Sequence, residues 1–211
     1  MVEPRWEHPR TPREAAAILA ESGGSARPIA GGTDLAVLVR EGSARPETLV
    51  DLGGLTELAS VRDVGDETEI GALATHGTVA RSPHVASRAP LLSSACGSVG
   101  SPQIRARGTI GGNLANASPA ADGATALLAL GASVVVESAD PERNGREVPL
   151  ADLFTGPGET ALRREDLIRA IRFPTPPPST RCRYVKIGQR NALAIAIVSV
   201  AVVFEPDAGL V

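Results

Sequence analysis

The opening of the chain carries a helical pattern of apolar positions with clear start and stop signals. Apolar residues recur at helical spacing from Ala15 to Leu19. The preceding segment Thr11-Pro12-Arg13-Glu14 has the hydroxyl, the proline and the glutamate of a capping box. Gly23 and Gly24 then end the pattern. The sequence therefore predicts a helix over residues 12–21.

Short strand patterns flank a second helical pattern in the rest of the first quarter of the chain. Residues 27–30 and 48–51 are typical of brief strands, and residues 34–41 place their apolar positions on one face of a helix. Strands separated by helices favour a βαβ-like arrangement. We therefore expect an N-terminal subdomain over residues 1–54.

The middle of the chain, residues 55–173, mixes both kinds of pattern. We predict strands at 69–72, 133–137 and 167–173, and helices at 84–96 and 119–130. Strands and helices in no regular alternation are typical of α+β proteins. We expect this region to form a second subdomain.

A proline-rich segment, residues 174–179, separates this region from the end of the chain. Successive prolines exclude both a helix and a central strand, so the segment is predicted to be a linker. Residues 181–187 and 192–204 are predicted strands, and the second is apolar on both faces, which requires cover on both sides. Because the chain ends shortly afterwards, we expect residues 180–211 to be the start of an incomplete C-terminal domain.

Composition and charge narrow the classes of function. The 211 residues carry a formal net charge of −3 and no basic run interleaved with aromatic residues, so no nucleic-acid partner is expected. The longest apolar run is too short to span a bilayer and the N-terminus lacks a signal-peptide core, so we expect a cytoplasmic protein. Cys96 and Cys182 are the only cysteines and are expected to be reduced. They are too few for an iron–sulfur cluster, which needs four ligands.

Two glycine-rich segments are the strongest candidates for a binding site. The first glycine loop (residues 30–35) reads AGGTDL, and the second glycine loop (residues 107–122) contains TIGGNLANASPAAD. Paired glycines let a ligand approach the backbone and allow a positive φ, so that successive N–H groups can converge on an anion such as a pyrophosphate. For either loop alone, a tight turn with Thr33 or Ser118 as a helix N-cap is the alternative. Together, the loops favour binding of one diphosphate from two sides.

Motifs that would indicate catalysis or metal binding are lacking. The three histidines do not have metal-ligand spacing. His76, Tyr184 and Ser98 are the candidates for a catalytic acid or base, and none stands in a persuasive context. The sequence therefore predicts no catalytic residue and no metal site in this chain.

Lys186 is the only lysine among 21 basic residues. A compact ammonium group is not interchangeable with a planar guanidinium where it must fit beside a ligand. Lys186 is therefore a candidate ligand contact, with chance retention in an arginine-biased chain as the alternative.

The two loops and the segment between them resemble those of a known family. Residues 28–35 resemble its first FAD loop, residues 97–105 its approach segment, and residues 108–122 its second FAD loop. The chain is similar to the FAD-binding medium subunit of the molybdenum hydroxylases, the carbon monoxide dehydrogenase and xanthine dehydrogenase family.

The resemblance implies an α+β fold of the FAD-binding PCMH type, which is also seen in vanillyl-alcohol oxidase. Two FAD subdomains are followed there by a C-terminal domain. FAD would be non-covalent, because related covalent oxidases place His directly after the double glycine, where this chain has Thr33. Val99 falls where some relatives place an aromatic residue beside the flavin nucleotide, and Leu167 or Ile168 falls where another apolar contact is supplied. The implied cofactor-binding residues are Ala30, Gly31, Gly32, Thr33, Asp34, Thr109, Ile110, Gly111, Gly112, Asn113, Asp122 and Lys186.

The resemblance also implies an oxidoreductase subunit in a hetero-oligomer. A large partner subunit would hold the molybdenum cofactor, a small one two 2Fe-2S clusters, and FAD would pass electrons to NAD, a quinone or another external acceptor. Residues 188–196 lack acidic residues that some relatives carry there, which leaves the acceptor open. Two alternatives are a stand-alone flavin oxidoreductase of the same fold and a truncated, non-catalytic remnant.

Overall fold

The computed structural model describes residues 3–190 and 193–206. The helices are α1 (Pro12–Glu21), α2 (Leu35–Arg40), α3 (His76–Arg81), α4 (Pro83–Arg88), α5 (Pro90–Ser98), α6 (Pro102–Arg107), α7 (Ile110–Asn116), α8 (Asp122–Ala129) and α9 (Leu150–Leu153). The strands are β1 (Arg5–Glu7), β2 (Ala26–Ile29), β3 (Thr48–Asp51), β4 (Val61–Val64), β5 (Glu67–Gly71), β6 (Ser133–Glu137), β7 (Glu147–Pro149), β8 (Phe154–Gly156), β9 (Glu159–Thr160), β10 (Leu167–Pro174), β11 (Arg181–Gly188) and β12 (Ala196–Phe204). A 3-10 turn spans Thr56–Ala59.

A parallel three-stranded sheet, in the order β1-β3-β2, forms the N-terminal part of the molecule. Helix α1 covers it with Ala15, Ala16 and Leu19, which pack in a buried cluster with Val50 of β3. The predicted bounds of α1 are confirmed, and Thr11 caps the helix by accepting a hydrogen bond from the Glu14 N–H at 3.1 Å. Strand β1 was not predicted, because three residues are too few for a periodic pattern.

The larger sheet has five antiparallel strands in the order β4-β5-β10-β6-β7. Its central strand β10 is buried on both faces over most of its length. Ile70, Val134, Ile171 and Phe173 are fully buried and share a core cluster with residues of α3, α4, α5, α7 and α8. Together with the first sheet, this mixture confirms the α+β fold class.

The helical layer differs from the prediction in two places. The helix predicted over residues 84–96 is two helices, α4 and α5, because Pro90 restricts Ala89 to a non-helical conformation at the junction. The second glycine loop was predicted to be irregular. This prediction is wrong for much of its length, because α7 contains both of its paired glycines. Glycine has a low helix propensity, so the sequence pattern argued against a helix there.

The hairpin β11–β12 packs one face on α5 and α8 and leaves the other exposed. Cys182, Tyr184 and Lys186 alternate with exposed neighbours along β11, as the strand period of two requires. The second strand was expected to need cover on both faces; among the described residues only one face is covered, and Val200 and Val202 remain about half exposed. Part of that predicted strand, at residue 192, lies outside the described residues.

The thiols of Cys96 and Cys182 are not joined; Cys96 is buried in the core and Cys182 is half-buried. None of the helices over residues 3–190 and 193–206 combines the length and apolar character needed to cross a membrane.

Candidate functional site

The two glycine loops meet at a direct contact between their backbones. A Cβ placed on Gly31 would lie 2.0 Å from the carbonyl oxygen of Arg107 and 3.0 Å from the Cα of Gly108. Real Cβ atoms do not approach other atoms so closely, so only glycine fits at position 31 with the loops in this arrangement. The structure therefore brings together two segments that are more than 70 residues apart in sequence, as a two-sided site requires.

The first glycine loop presents backbone donors without internal partners. None of the N–H groups of residues 30–35 donates a hydrogen bond to another group within the described part of the chain. Gly32 has a φ of +70°, so the chain turns sharply before α2 begins. The Thr33 hydroxyl donates to the Asp34 carboxylate at 3.1 Å, and Asp34 makes no side-chain cap for α2. A row of free amides beside a hydroxyl is suited to an anion.

The amides of the second glycine loop are, in contrast, already used within the protein. Ile110 and Gly111 donate to the carbonyl oxygens of Ala74 and Ala72, both at 2.9 Å. Gly112 donates to the Thr109 hydroxyl at 3.1 Å, and Asn113 donates to the Thr109 carbonyl at 3.0 Å. These bonds fix the start of α7 against the end of the β5 segment.

The glycines of this loop serve close packing. A Cβ on Gly111 would lie 2.5 Å from the Cβ of Ala72 and 2.8 Å from its carbonyl oxygen. Of the four paired glycines, only Gly32 has a positive φ; the expected positive φ at 111 and 112 is wrong. Gly111 and Gly112 instead allow α7 to start directly on its neighbours.

His76 packs against Gly108 of the second glycine loop and is only 2% exposed. Its backbone N–H donates to the Gly108 carbonyl at 2.9 Å. Burial lowers the pKa of His76 to about 4, against the opposing influence of Asp122 and Asp34, so the imidazole is neutral near pH 7. Its Nδ1 is buried without a partner in the described residues, and so is Oδ1 of Asn113. The buried polar atoms of His76 and Asn113 therefore carry no charge.

Asp122 and Lys186, both predicted cofactor contacts, form an ion pair at 2.6 Å. Their side chains are 5% and 12% exposed. The ammonium of Lys186 also donates to the Ser98 carbonyl at 3.1 Å. This arrangement fixes the only lysine at the junction of α5, α8 and β11.

Tyr184 completes this network, although sequence reasoning did not assign it to the site. Its hydroxyl donates to the Asp122 carboxylate at 2.7 Å. Burial and this hydrogen bond raise the pKa of Tyr184 well above its usual value, so the hydroxyl stays protonated. The available signal was its position two residues before Lys186, on the same face of a strand.

Two clefts lie near the site, and only the smaller one is lined by residues of the two glycine loops. The larger one, of about 660 Å³, is bounded by the α5–α6 segment and the C-terminal hairpin; its lining residues are Gly97, Ser98, Gly100, Pro102, Arg105, Lys186, Ile187, Gly188, Arg190, Leu193 and Ala194. The smaller one, of about 220 Å³, lies beside the loop junction; its lining residues are Ala30, Gly31, Gly53, Leu55, Thr56, Ala59, Leu73, Thr75, Ala106, Arg107 and Thr109.

The predicted contacts Val99, Leu167 and Ile168 differ in whether they lie near these clefts. Val99 follows α5 directly after Ser98, a residue of the larger cleft. Leu167 and Ile168 are buried in the two core clusters and line neither cleft.

Comparison with protein families gives a match over most of the chain. The family described as the FAD binding domain in molybdopterin dehydrogenase matches residues 2–176. The nicotinate dehydrogenase FAD-subunit of Eubacterium barkeri is 36% identical over 173 residues, which are 81% of this chain and 57% of that protein. The carbon monoxide dehydrogenase medium chain of Afipia carboxidovorans is 35% identical over 197 residues, which are 92% of this chain and 67% of that protein.

Solved structures agree with these relatives. The structure of carbon monoxide dehydrogenase from Hydrogenophaga pseudoflava lacking the Mo-pyranopterin moiety superposes with a TM-score of 0.90 at 33% identity. The match covers 96% of this chain and 70% of that chain. The present chain thus spans between 57% and 67% of the length of the two relatives named above.

Proposed function

The chain belongs to the family of FAD binding domains in molybdopterin dehydrogenases, and from this premise we propose that it is the flavin-carrying subunit of a molybdenum hydroxylase complex. One observation carries the proposal for this chain itself. The first glycine loop presents a row of unused amides where the backbone of the second glycine loop meets it. Such a row is suited to the diphosphate of FAD.

The residues present fit FAD. Residues 30–34 would bind the diphosphate through backbone N–H groups, with the Thr33 hydroxyl beside them. Thr109, Ile110, Gly111, Gly112 and Asn113 would form the opposite wall, where Oδ1 of Asn113 has no hydrogen-bond partner among the described residues. Asp122 keeps acceptor capacity beyond its two observed bonds and could accept from sugar hydroxyls. No histidine follows the double glycine, which supports non-covalent binding.

Lys186 would act on the electronic properties of the cofactor. Bound FAD supplies the ability to accept two electrons and to release them singly or as a pair. The Lys186 ammonium is held in place by Asp122 and Ser98 at the wall of the larger cleft. Asp122 offsets much of the positive charge of Lys186. The ammonium has three N–H donors and two of them are used in these bonds, so the third could donate to a ring bound in that cleft.

The proposed role in the complex is the terminal electron-transfer station. Electrons would come from a molybdenum subunit through 2Fe-2S clusters in a small subunit and leave through FAD to an external acceptor. The names of the relatives, FAD-subunit and medium chain, support a division among several chains. The scarcity of cysteine supports it too, since Cys96 is buried and Cys182 half-buried. The cytoplasmic location and the domain boundaries at 54 and 173 stay predictions.

Co-expression tests this proposal directly. The chain is produced alone and together with its neighbouring genes, and the product is examined for its visible spectrum, flavin released on denaturation, and co-purifying subunits. We expect free FAD, together with molybdenum- and iron–sulfur-containing partners when these are present. A flavin-containing monomer that oxidises an alcohol without partners would contradict the proposal in favour of a stand-alone oxidoreductase. A colourless product would support a non-catalytic remnant.

A further inference from the structure

The smaller cleft contains a single charged lining residue, Arg107. The other lining residues are small, apolar or neutral, and Ala30 and Gly31 among them belong to the first glycine loop. The cleft is therefore lined by two residues of the first glycine loop and by one arginine. Neither Arg107 nor this cleft was assigned a role by the sequence.

The backbone of Arg107 is fixed at the loop junction. Its carbonyl oxygen lies against Gly31, and it is the last residue of α6. The next residue, Gly108, donates to Ile104 at 2.7 Å and accepts from the His76 N–H at 2.9 Å. The side chain of Arg107 thus begins at a fixed point beside the first glycine loop, while the residue itself is exposed.

The guanidinium of Arg107 is available for a ligand. No carboxylate lies within ion-pair distance of it among residues 3–190 and 193–206. Arg105, two residues earlier, is different, because its guanidinium donates to the carbonyl oxygens of Val99 at 3.0 Å and Gly100 at 2.9 Å. Arg105 is occupied in holding the backbone, whereas Arg107 is not.

The charge of the first glycine loop favours an added positive group such as the Arg107 guanidinium. The first glycine loop itself carries an acidic side chain, Asp34, which opposes binding of an anion. Neutral amides offset this repulsion only in part. A guanidinium adds a full positive charge and a planar set of donors that matches phosphate oxygens.

We propose that Arg107 binds the diphosphate of FAD from the side of the smaller cleft, opposite the amides of the first glycine loop. This inference rests on the proposed function, that the chain binds FAD. It adds a charged diphosphate contact to the neutral donors that the sequence indicated.

The test compares ligands with and without phosphate. Full-length chain freed of flavin is titrated with FAD, ADP and riboflavin, and each affinity is measured at two salt concentrations. Arg107→Gln should weaken FAD and ADP by about 10-fold to 100-fold, as expected for loss of a charged hydrogen bond, and leave riboflavin unchanged. Arg107→Lys should keep most of the salt dependence. Arg45→Gln, which removes an exposed arginine outside both clefts, is the matched control and should change nothing.

The outcomes separate this inference from the function on which it rests. Wild-type chain that binds no FAD would overturn both. Wild-type binding of FAD with an unchanged affinity in Arg107→Gln, or with an equal loss for riboflavin, would overturn the role of Arg107 alone. The thermal midpoint of each variant is measured in parallel, and Arg107→Met, which also removes the charge, replaces Arg107→Gln if that variant is unstable.

Discussion

The two glycine loops both combine a double glycine, a hydroxyl side chain and the start of a helix, but their backbone amides differ in whether they have partners within the protein. In the first glycine loop the amides of residues 30–35 are unused and Gly32 has a positive φ. In the second, the amides of residues 110–113 are bonded within the protein, and Gly111 is required by the closeness of Ala72. A glycine pair therefore marks a place where something approaches the backbone, and only the structure shows whether that is a ligand or the protein itself.

The largest expected contrast is between Gly111 and Gly31. Gly111→Ala should lower the free energy of unfolding by about 3 kcal/mol, because its Cβ would overlap Ala72 and the bonded backbone cannot shift. Gly31→Ala should cost less stability, since the first glycine loop can move away from Arg107, but should reduce FAD affinity at least about 100-fold. Urea unfolding and flavin titration measure the two effects. Equal losses of stability would remove the distinction between the loops.

The next largest effect concerns His76, the buried neutral imidazole that packs against the second glycine loop. Its pKa is about 4 in the folded chain and about 6.5 when unfolded, so between these values only the unfolded chain binds the proton. Stability should therefore fall as the pH drops from about 6.5 to 4, by about 3 kcal/mol in all.

Replacing the imidazole separates this effect from other titrations. His76→Asn should flatten the pH dependence of unfolding between pH 4 and 6.5, whatever its effect on stability at pH 7. An unchanged slope in His76→Asn would show that the imidazole is charged in the folded chain.

A smaller effect is expected for Asp34 of the first glycine loop and Asp122 of the second. Asp122→Asn should lower stability by about 2 kcal/mol, because the largely buried Lys186 loses its ionic partner. The exposed Asp34→Asn change should cost less than about 0.5 kcal/mol. Adding Lys186→Met to Asp122→Asn should recover part of the loss, which a double-mutant cycle in urea would measure. Strict additivity would show that the two groups are not coupled.

The smallest effect is expected for the two threonines. Thr109→Val removes the N-cap of α7 and should cost about 1 kcal/mol of stability. Thr33→Val removes a hydroxyl that caps nothing and should leave stability unchanged while weakening FAD a few-fold. Thermal unfolding and flavin titration of both variants check this pair, and a stability loss in Thr33→Val would place a structural role in the first glycine loop.

The sequence was sufficient where local chemistry decides the structure. The capping box before α1 gave its bounds, and the glycine-rich segments gave the region of the candidate site. It was insufficient where distant residues decide. The pairing of Asp122 with Lys186 joins residues 64 positions apart, and nothing local to either residue indicates the other. The same holds for Gly111, whose neighbour Ala72 comes from another strand segment.

Helix α7 was missed for a related reason. Its glycines have poor intrinsic helix propensity, but tertiary bonds to residues 72 and 74 hold its first turn in place. The exposed face of β11–β12 shows that a sequence pattern can indicate a need for cover without indicating which residues supply it. The apolar pattern on both strand faces indicated a need for cover, and the described residues cover only one of the faces.

Backbone hydrogen exchange with and without FAD tests the difference between the loops most directly. In the flavin-free chain, residues 30–35 should exchange rapidly and residues 110–113 slowly, because only the latter have internal acceptors. FAD should protect residues 30–35 strongly and leave residues 110–113 nearly unchanged. Unprotected amides in residues 30–35 of the FAD-bound chain, or rapid exchange at residues 110–113 before FAD is added, would contradict the account.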